Sequence, residues 1–331
     1  MKEVLNRFIG CHVLRVFLGF RLLFTGGHME SLDLCKLIEQ FGSEDKCRSY
    51  LEALRWSNDI VLCPRCMSDK ISRIYNRNQF DCDSCRYQFS VTAGTMFADS
   101  HLPLWKWFLA TYLICESRKG MSANQISRVI GVSYKTAWYL CHRIRAAMKE
   151  VDVPKLEGTI EMDETYVGGK KHGAGVRGRG AKKEVVIGIR QRGGDLRFFH
   201  APNAKSVTLR KYIRDNIGDD VEVLVTDDFS AYQYAVKDRP IEKRHVTIKH
   251  SSGEYVHGDI YTNTVESAFS LLKRGIIGTW HRVSAKHLEA YLDEMCWRFN
   301  NRKNPYLFRD TLLKMLEAKH VEYKQLTSSA A

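Results

Sequence analysis

Acidic side chains set into apolar, strand-forming sequence are the residues most able to do chemistry here. In Gly158–Tyr166, Ile160 and Met162 alternate with Glu161 and Asp163, the period-two pattern of a strand with one apolar face. A carboxylate in mid-strand is costly to bury unless a cation meets it. Two later acids stand where a fold could bring them to Asp163: Asp227, closing the apolar run from Val221, and Glu266, heading the helical run Thr264–Gly275. Three carboxylates converging from two strand ends and a helix make a site for one or two divalent cations. Two such ions about 3.5–4 Å apart activate one oxygen and stabilise another in a phosphodiester displacement. No His or Cys cluster surrounds these acids, so the expected ion is hard, Mg²⁺ or Mn²⁺. Lys273 follows Glu266 by almost two helical turns, which places an amine about 10 Å along the same face. Asn263, one turn before Glu266, offers an alternative oxygen ligand. Strand alternation assigns Glu164 to the face opposite Asp163.

A second constellation is Cys63-Pro-Arg-Cys66 and Cys82-Asp-Ser-Cys85. Each CxxC supplies two thiolates from one tight turn, and four of them fit tetrahedral zinc. Ile71–Phe80 suits a hairpin and Tyr87–Val91 a third strand, together a zinc ribbon. Its Lys70, Arg73, Arg77 and Arg86 are candidates for touching DNA phosphates. The other cysteines (Cys11, Cys35, Cys47, Cys115, Cys141, Cys296) are scattered through apolar sequence, which points to a reducing compartment.

These groups need elements to hold them. Apolar residues from Leu34 to Leu54 recur at helical spacing and Gly42-Ser43 breaks them, predicting two short helices. Further on, Trp105, Phe108, Leu109, Tyr112 and Leu113 predict one apolar helical face. Ser122–Leu140 then has the spacing of a helix-turn-helix, with Ser122 and Ser133 as caps and Gly131 at the turn. Its second helix offers Tyr134, Lys135 and Thr136 at the N-terminal end, where recognition helices meet base edges, with Arg143 and Arg145 farther along. Gly168–Lys183 carries six Lys/Arg, six glycines and no acid. It reads as a cationic loop whose Lys170, Lys171, Arg177 and Arg179 lie along a phosphate backbone, with Arg274 joining them from the later helix.

The order after residue 157 is strand, hairpin through Gly193-Gly194, helix, strand, helix, strand, helix. That is the order of an RNase H-like mixed α/β domain, with acids at the first strand, the fourth strand and a late helix. The expected organisation is an extension at 1–28, N-terminal helices at 29–58, the zinc ribbon at 59–95, and the helix-turn-helix at 102–150. The RNase H-like domain would span 157–305, with a C-terminal helix and tail at 306–331.

A formal charge of +13 over 331 residues suggests a polyanionic partner. The apolar run Val13–Phe24 is too short, and too interrupted by Arg15 and Arg21, to span a bilayer, so a soluble cytoplasmic protein without membrane attachment is expected.

The segments Glu161–Gly169, Val225–Tyr232 and Tyr261–Gly275, continued by His281–Ser284 and Arg298–Arg302, resemble the ISXO group of bacterial insertion-sequence transposases, related to eukaryotic Merlin elements. The resemblance covers roughly residues 40–305, and residues 1–28 have no counterpart in it. It implies a DDE transposase in which Asp163, Asp227 and Glu266 hold metal and Lys273 is the basic companion. In some relatives the third acid is Asn or His, which keeps Asn263 in view. The implied reaction is cleavage at element ends followed by transfer of the freed 3′-hydroxyl into target DNA. Terminal inverted repeats would be the recognised double-stranded DNA, paired by two or more protomers. The alternatives are a DNA-binding protein that has lost catalysis and a zinc-ribbon nuclease that cuts without joining.

Overall fold

The computed structural model describes residues 32–56, 58, 60–168, 183–248 and 262–328. Val13–Phe24 and the expected DNA-contacting residues Lys170, Lys171, Arg177 and Arg179 lie outside these ranges.

Two helices open the fold, α1 (Leu34–Phe41) and α2 (Glu44–Arg55). Asp33 and Ser43 cap them, each accepting from an amide three residues on, so the chain turns at Gly42 without losing its first-turn donors. A small antiparallel sheet follows: β1 (Ile71–Ile74), β2 (Gln79–Cys82) and β3 (Gln88–Phe89). Next come α3 (Leu104–Glu116), α4 (Ala123–Ile130) and α5 (Tyr134–Met148). Gly131 at φ +62° makes the α4–α5 turn, a left-handed position that suits glycine, and Ser133 caps α5. The expected face of α3 is off by a residue. Leu104, Trp107, Phe108, Thr111, Tyr112 and Cys115 are buried, while Trp105 is 37% exposed. The helix is apolar nearly all round, so its own periodicity could not choose which stripe faces the core.

The second layer system is a five-stranded sheet of β4 (Thr159–Val167), β5 (Glu184–Gln191), β6 (Leu196–Ala201), β7 (Val223–Asp227) and β8 (His245–Ile248). Its order is β6-β5-β4-β7-β8, with β4–β5–β6 antiparallel and β7 and β8 parallel to β4. This is the RNase H-like arrangement. One face packs on α6 (Ser206–Asn216) and α7 (Ser230–Val236) through Ile160, Met162, Ile187, Leu209, Ile213 and Tyr232. The other is covered by α8 (Asn263–Gly275) and α9 (Ala285–Asn300) through Val186, Phe198, Val265, Phe269, Leu288 and Leu292. A π-helical turn, Ile276–Trp280, ends α8.

After α9 the chain crosses back. Leu307, Phe308, Leu312 and Met315 of α10 (Leu307–Glu317) are buried in the same cluster as Phe41, Leu51, Phe108, Ile126 and Leu140. The Met96 amide donates to Met315 O at 2.8 Å, and the Thr111 and Cys115 side chains meet Met315 and Thr311. The last helix, α11 (Tyr323–Thr327), lies beside α5, where the Tyr139 hydroxyl donates to Val321 O. No helix among the described residues is long and apolar enough to cross a membrane.

Candidate active site and nucleic-acid interface

The parallel ladder between β4 and β7 runs from Thr159–Val223 to Glu161–Val225 and stops. Continued by two residues, that register would set Asp163 level with Asp227. The strands separate there, and the acids stand at the mouth of the split. A ligand oxygen from each of Asp163, Glu164 and Asp227 lies within 4.8 Å of the others. Alternation does turn Glu164 toward the α7 face, where the buried Tyr232 hydroxyl donates to its Oε2 at 2.7 Å. The expectation that this separates it from Asp163 fails, because no ladder closes the gap between β4 and β7 at this level. Sequence reasoning set Glu164 aside; the only available signal was its adjacency to Asp163.

Glu266 stands on α8, outside that 4.8 Å group. Its Oε1 accepts from the Thr262 hydroxyl at 2.8 Å. Burial first, then the charges of Glu164, Asp227 and Glu266, push the Asp163 carboxyl up to about 7, against an opposing bond from the Glu164 amide. Burial also raises Glu164 and lifts Tyr232 well above the ordinary phenol range. Such crowding is what a multivalent cation relieves, and an all-oxygen donor set suits a hard one. Asn263 is exposed at the first position of α8, and Lys273 and Arg274 are exposed in its last turn.

Sequence reasoning also passed over Glu161. Its carboxylate is fully buried on the Asp163 face of β4. Oε2 accepts from the Thr264 amide, the Thr264 hydroxyl and the Val265 amide at 3.0, 2.8 and 3.1 Å, and Oε1 accepts from Arg192 Nε at 2.7 Å. Gly188, level with Asp163 on β5, lets α8 come close: a Cβ there would lie 2.7 Å from the Phe269 ring.

In the ribbon, the Sγ atoms of Cys63, Cys66, Cys82 and Cys85 all lie within 4.8 Å of one another. The Cys63–Cys85 and Cys66–Cys82 separations of 3.6 and 3.5 Å are close to the roughly 3.8 Å edge of a tetrahedron with 2.3 Å zinc–sulfur bonds. The donor set fits zinc.

Of the groups expected on nucleic acid, Tyr134, Lys135 and Thr136 are exposed at the N-terminal end of α5, with Lys135 Nζ 4.7 Å from the Tyr323 ring centre. Arg143 is not available. It is 1% exposed, donates to the Met96 and Ala98 carbonyls, and stacks on Trp107 and Tyr139. Arg145 is likewise buried, paired with Glu294. Both occupy the half of α5 that packs into the protein, because a 15-residue helix outruns the short stretch that stands clear at its start. Arg73 is engaged by Glu52 at 2.8 Å.

A protein of Halobacterium salinarum described as an uncharacterized protein in transposable element ISH50 is 33% identical over an alignment of 276 residues, covering 77% of this chain and 90% of that one. The model of the ISXO2-like transposase domain matches residues 155–300, and that of the transposase zinc-ribbon domain matches 42–88. The chain belongs to the ISXO2-like transposase family. An uncharacterized transposase-like protein of Haemophilus influenzae is 33% identical over 100 residues, covering 30% of this chain and 76% of that one. Two solved structures, a Mos1 transposase paired-end complex with the left transposon end and a pre-cleavage Mos1 transpososome, align at TM-scores of 0.26 and 0.23 with 13% and 10% identity. These alignments cover 64% and 65% of this chain and 80% of each Mos1 chain, and add nothing to what the strand order already says. The ISXO2-like match spans the five-stranded sheet and its acids, and the zinc-ribbon match contains all four thiols.

Proposed function

We propose that this insertion-sequence transposase cuts the phosphodiester bonds at its element's ends and joins the freed 3′-hydroxyl to target DNA, with Asp163, Asp227 and Glu266 holding divalent metal. The observation that carries the reading is the meeting of Asp163 and Asp227 at the opening of β4 and β7, with the charge of Glu266 bearing on Asp163. Metal ions bound there would supply a more reactive attacking oxygen and stabilise the departing one. The chain's own residues do the rest. Asp163 and Asp227 come from paired strands and so hold a fixed spacing, while Glu164, steadied by Tyr232, adds negative charge at the same mouth. Glu266 is held in place by Thr262. Lys273 and Arg274 at the far end of α8 are suited to DNA phosphates, as are Lys170, Lys171, Arg177 and Arg179 in the glycine-rich sequence after β4. Tyr134, Lys135 and Thr136 offer an exposed helix start for base edges in the terminal repeats. Pairing two ends calls for at least two protomers.

The test is a strand-transfer assay with labelled end DNA and Mg²⁺ or Mn²⁺. Joined products that vanish in Asp227→Asn, with end binding retained, support the reading. Cuts without joining point to a nuclease, and bound but unaltered DNA points to a binding protein.

A further inference from the structure

We infer that Glu161 is a positioning residue that sets the distance between Glu266 and Asp163 by serving as the N-terminal cap of α8 from another element. The inference rests on the reading of these acids as metal ligands.

A helix start leaves amides without intrahelical partners, and the preceding residue's side chain ordinarily accepts from the second or third of them. In α8 that residue is Thr262, and its hydroxyl caps none of the described amides; it donates to Glu266 Oε1. Glu161 Oε2 takes over, accepting from both the Thr264 and Val265 amides and from the Thr264 hydroxyl. A carboxylate at a helix N-terminus also gains from the helix dipole, and Arg192 meets its other oxygen at 2.7 Å. The exchange has a geometric result. Glu161 and Asp163 are two residues apart on one rigid strand and share a face, so tying α8 to Glu161 ties Glu266 to Asp163. It also frees Thr262 to orient the Glu266 carboxylate. Glu161 touches no reacting atom; it acts through the helix.

A structural buried acid would affect stability alone, whereas a positioning residue changes how well the neighbouring acids gather a cation. Groups behind metal ligands typically alter metal affinity by roughly 10–100-fold when changed. The experiment compares the full-length wild type with Glu161→Gln and Thr264→Val, measuring Mn²⁺ binding by electron paramagnetic resonance well below each melting temperature. Hydrogen exchange is followed in the peptide spanning residues 262–268. The amide group of Gln sets an N–H against either Arg192 or the helix amides, so Glu161→Gln should weaken Mn²⁺ binding roughly 10–100-fold and speed exchange at the start of α8. Thr264→Val, which removes one of the bonds, should give a smaller loss in the same direction. Wild-type Mn²⁺ affinity in a folded Glu161→Gln overturns the inference, even with a lowered melting temperature. Should that variant fail to fold, Thr264→Val decides: faster exchange with unaltered Mn²⁺ affinity overturns it. Mn²⁺ binding that is absent in the wild type, or undiminished by Asp163→Asn, would instead show that the reading of the acids themselves has failed.

Discussion

Arg145 Nε lies 2.6 Å from Glu294 Oε2, and both side chains are essentially without solvent contact. Arg298 Nη2 reaches the other Glu294 oxygen at 3.1 Å and donates through Nη1 to the Ser117 and Arg118 carbonyls. The pair joins α5, whose exposed start is the proposed reader of DNA, to α9, which covers the five-stranded sheet. The two regions are therefore coupled through a charged core contact rather than through a linker alone. Residues 152–157, between α5 and β4, contribute Leu156, buried against the sheet and bonded to Asn216 and Gly218.

Removing one member of a buried pair leaves an uncompensated charge, which costs roughly 3–5 kcal/mol. Glu294→Gln should therefore lower stability by about that amount, read by urea denaturation. A change within experimental error would show that the contact does not join the two regions energetically.

The return of α10 makes a similar prediction at a distance in sequence. Leu312 is fully buried among residues of α2 and α3. Leu312→Ala should destabilise by about 2–5 kcal/mol, and it should do so in the helices that surround it. Exchange protection in residues 34–56 and 104–148 should fall before that of β4–β6.

Zinc is expected to be structural. Cys82→Ser removes one ligand at a fully buried position on β2 and should abolish retention of zinc, measured by elemental analysis after dialysis. The Trp56–Phe80–Phe89 aromatic cluster beneath the ribbon should lose its near-ultraviolet dichroism.

Asp293 on α9 supplies a pH test remote from the proposed metal site. Burial, followed by the charge of Glu289, pushes its carboxyl up to about 7, with Lys149 opposing. A folded-state value above the unfolded one means stability that is full below about 3.8 and lost as pH rises to about 7. Asp293→Asn mimics the protonated form. It should melt like the wild type near pH 4 and above it at pH 8, with the gap opening across that window. A constant gap from pH 4 to 8 would refute the assignment.

Much of this was legible beforehand, for identifiable reasons. The ribbon was readable because four thiolates around zinc leave little freedom in spacing, and the sheet because Ile160 and Met162 alternate with acids while Val185–Arg190 and Val221–Thr226 are short, mostly apolar runs. Asp163 stood out as an acid within an alternating strand, and Asp227 as one closing an apolar run. Arg143 misled because a charged residue on a helix is normally solvated, and only tertiary contacts reveal the carbonyls of Met96 and Ala98 waiting for it. Glu161 and Glu164 were hidden for a different reason. Their roles depend on what α8 and Tyr232 bring from about 70 to 100 residues away, and on a ladder that stops two residues short of Asp163. No local pattern encodes either. The destination of α10 was equally invisible, since an amphipathic stripe does not say which core it will enter.

That destination has a consequence for biogenesis. The bond from Thr111 to Met315 spans 204 positions, so the core of the amino-terminal helices stays unfinished until α10 has been made. An aborted or frameshifted product lacking α10 would carry the thiols and the helix that starts at Tyr134 on an incomplete core. If the helix start at Tyr134 reads element ends as proposed, such a fragment should occupy them poorly, because the core that holds that helix would lack Leu312 and Met315.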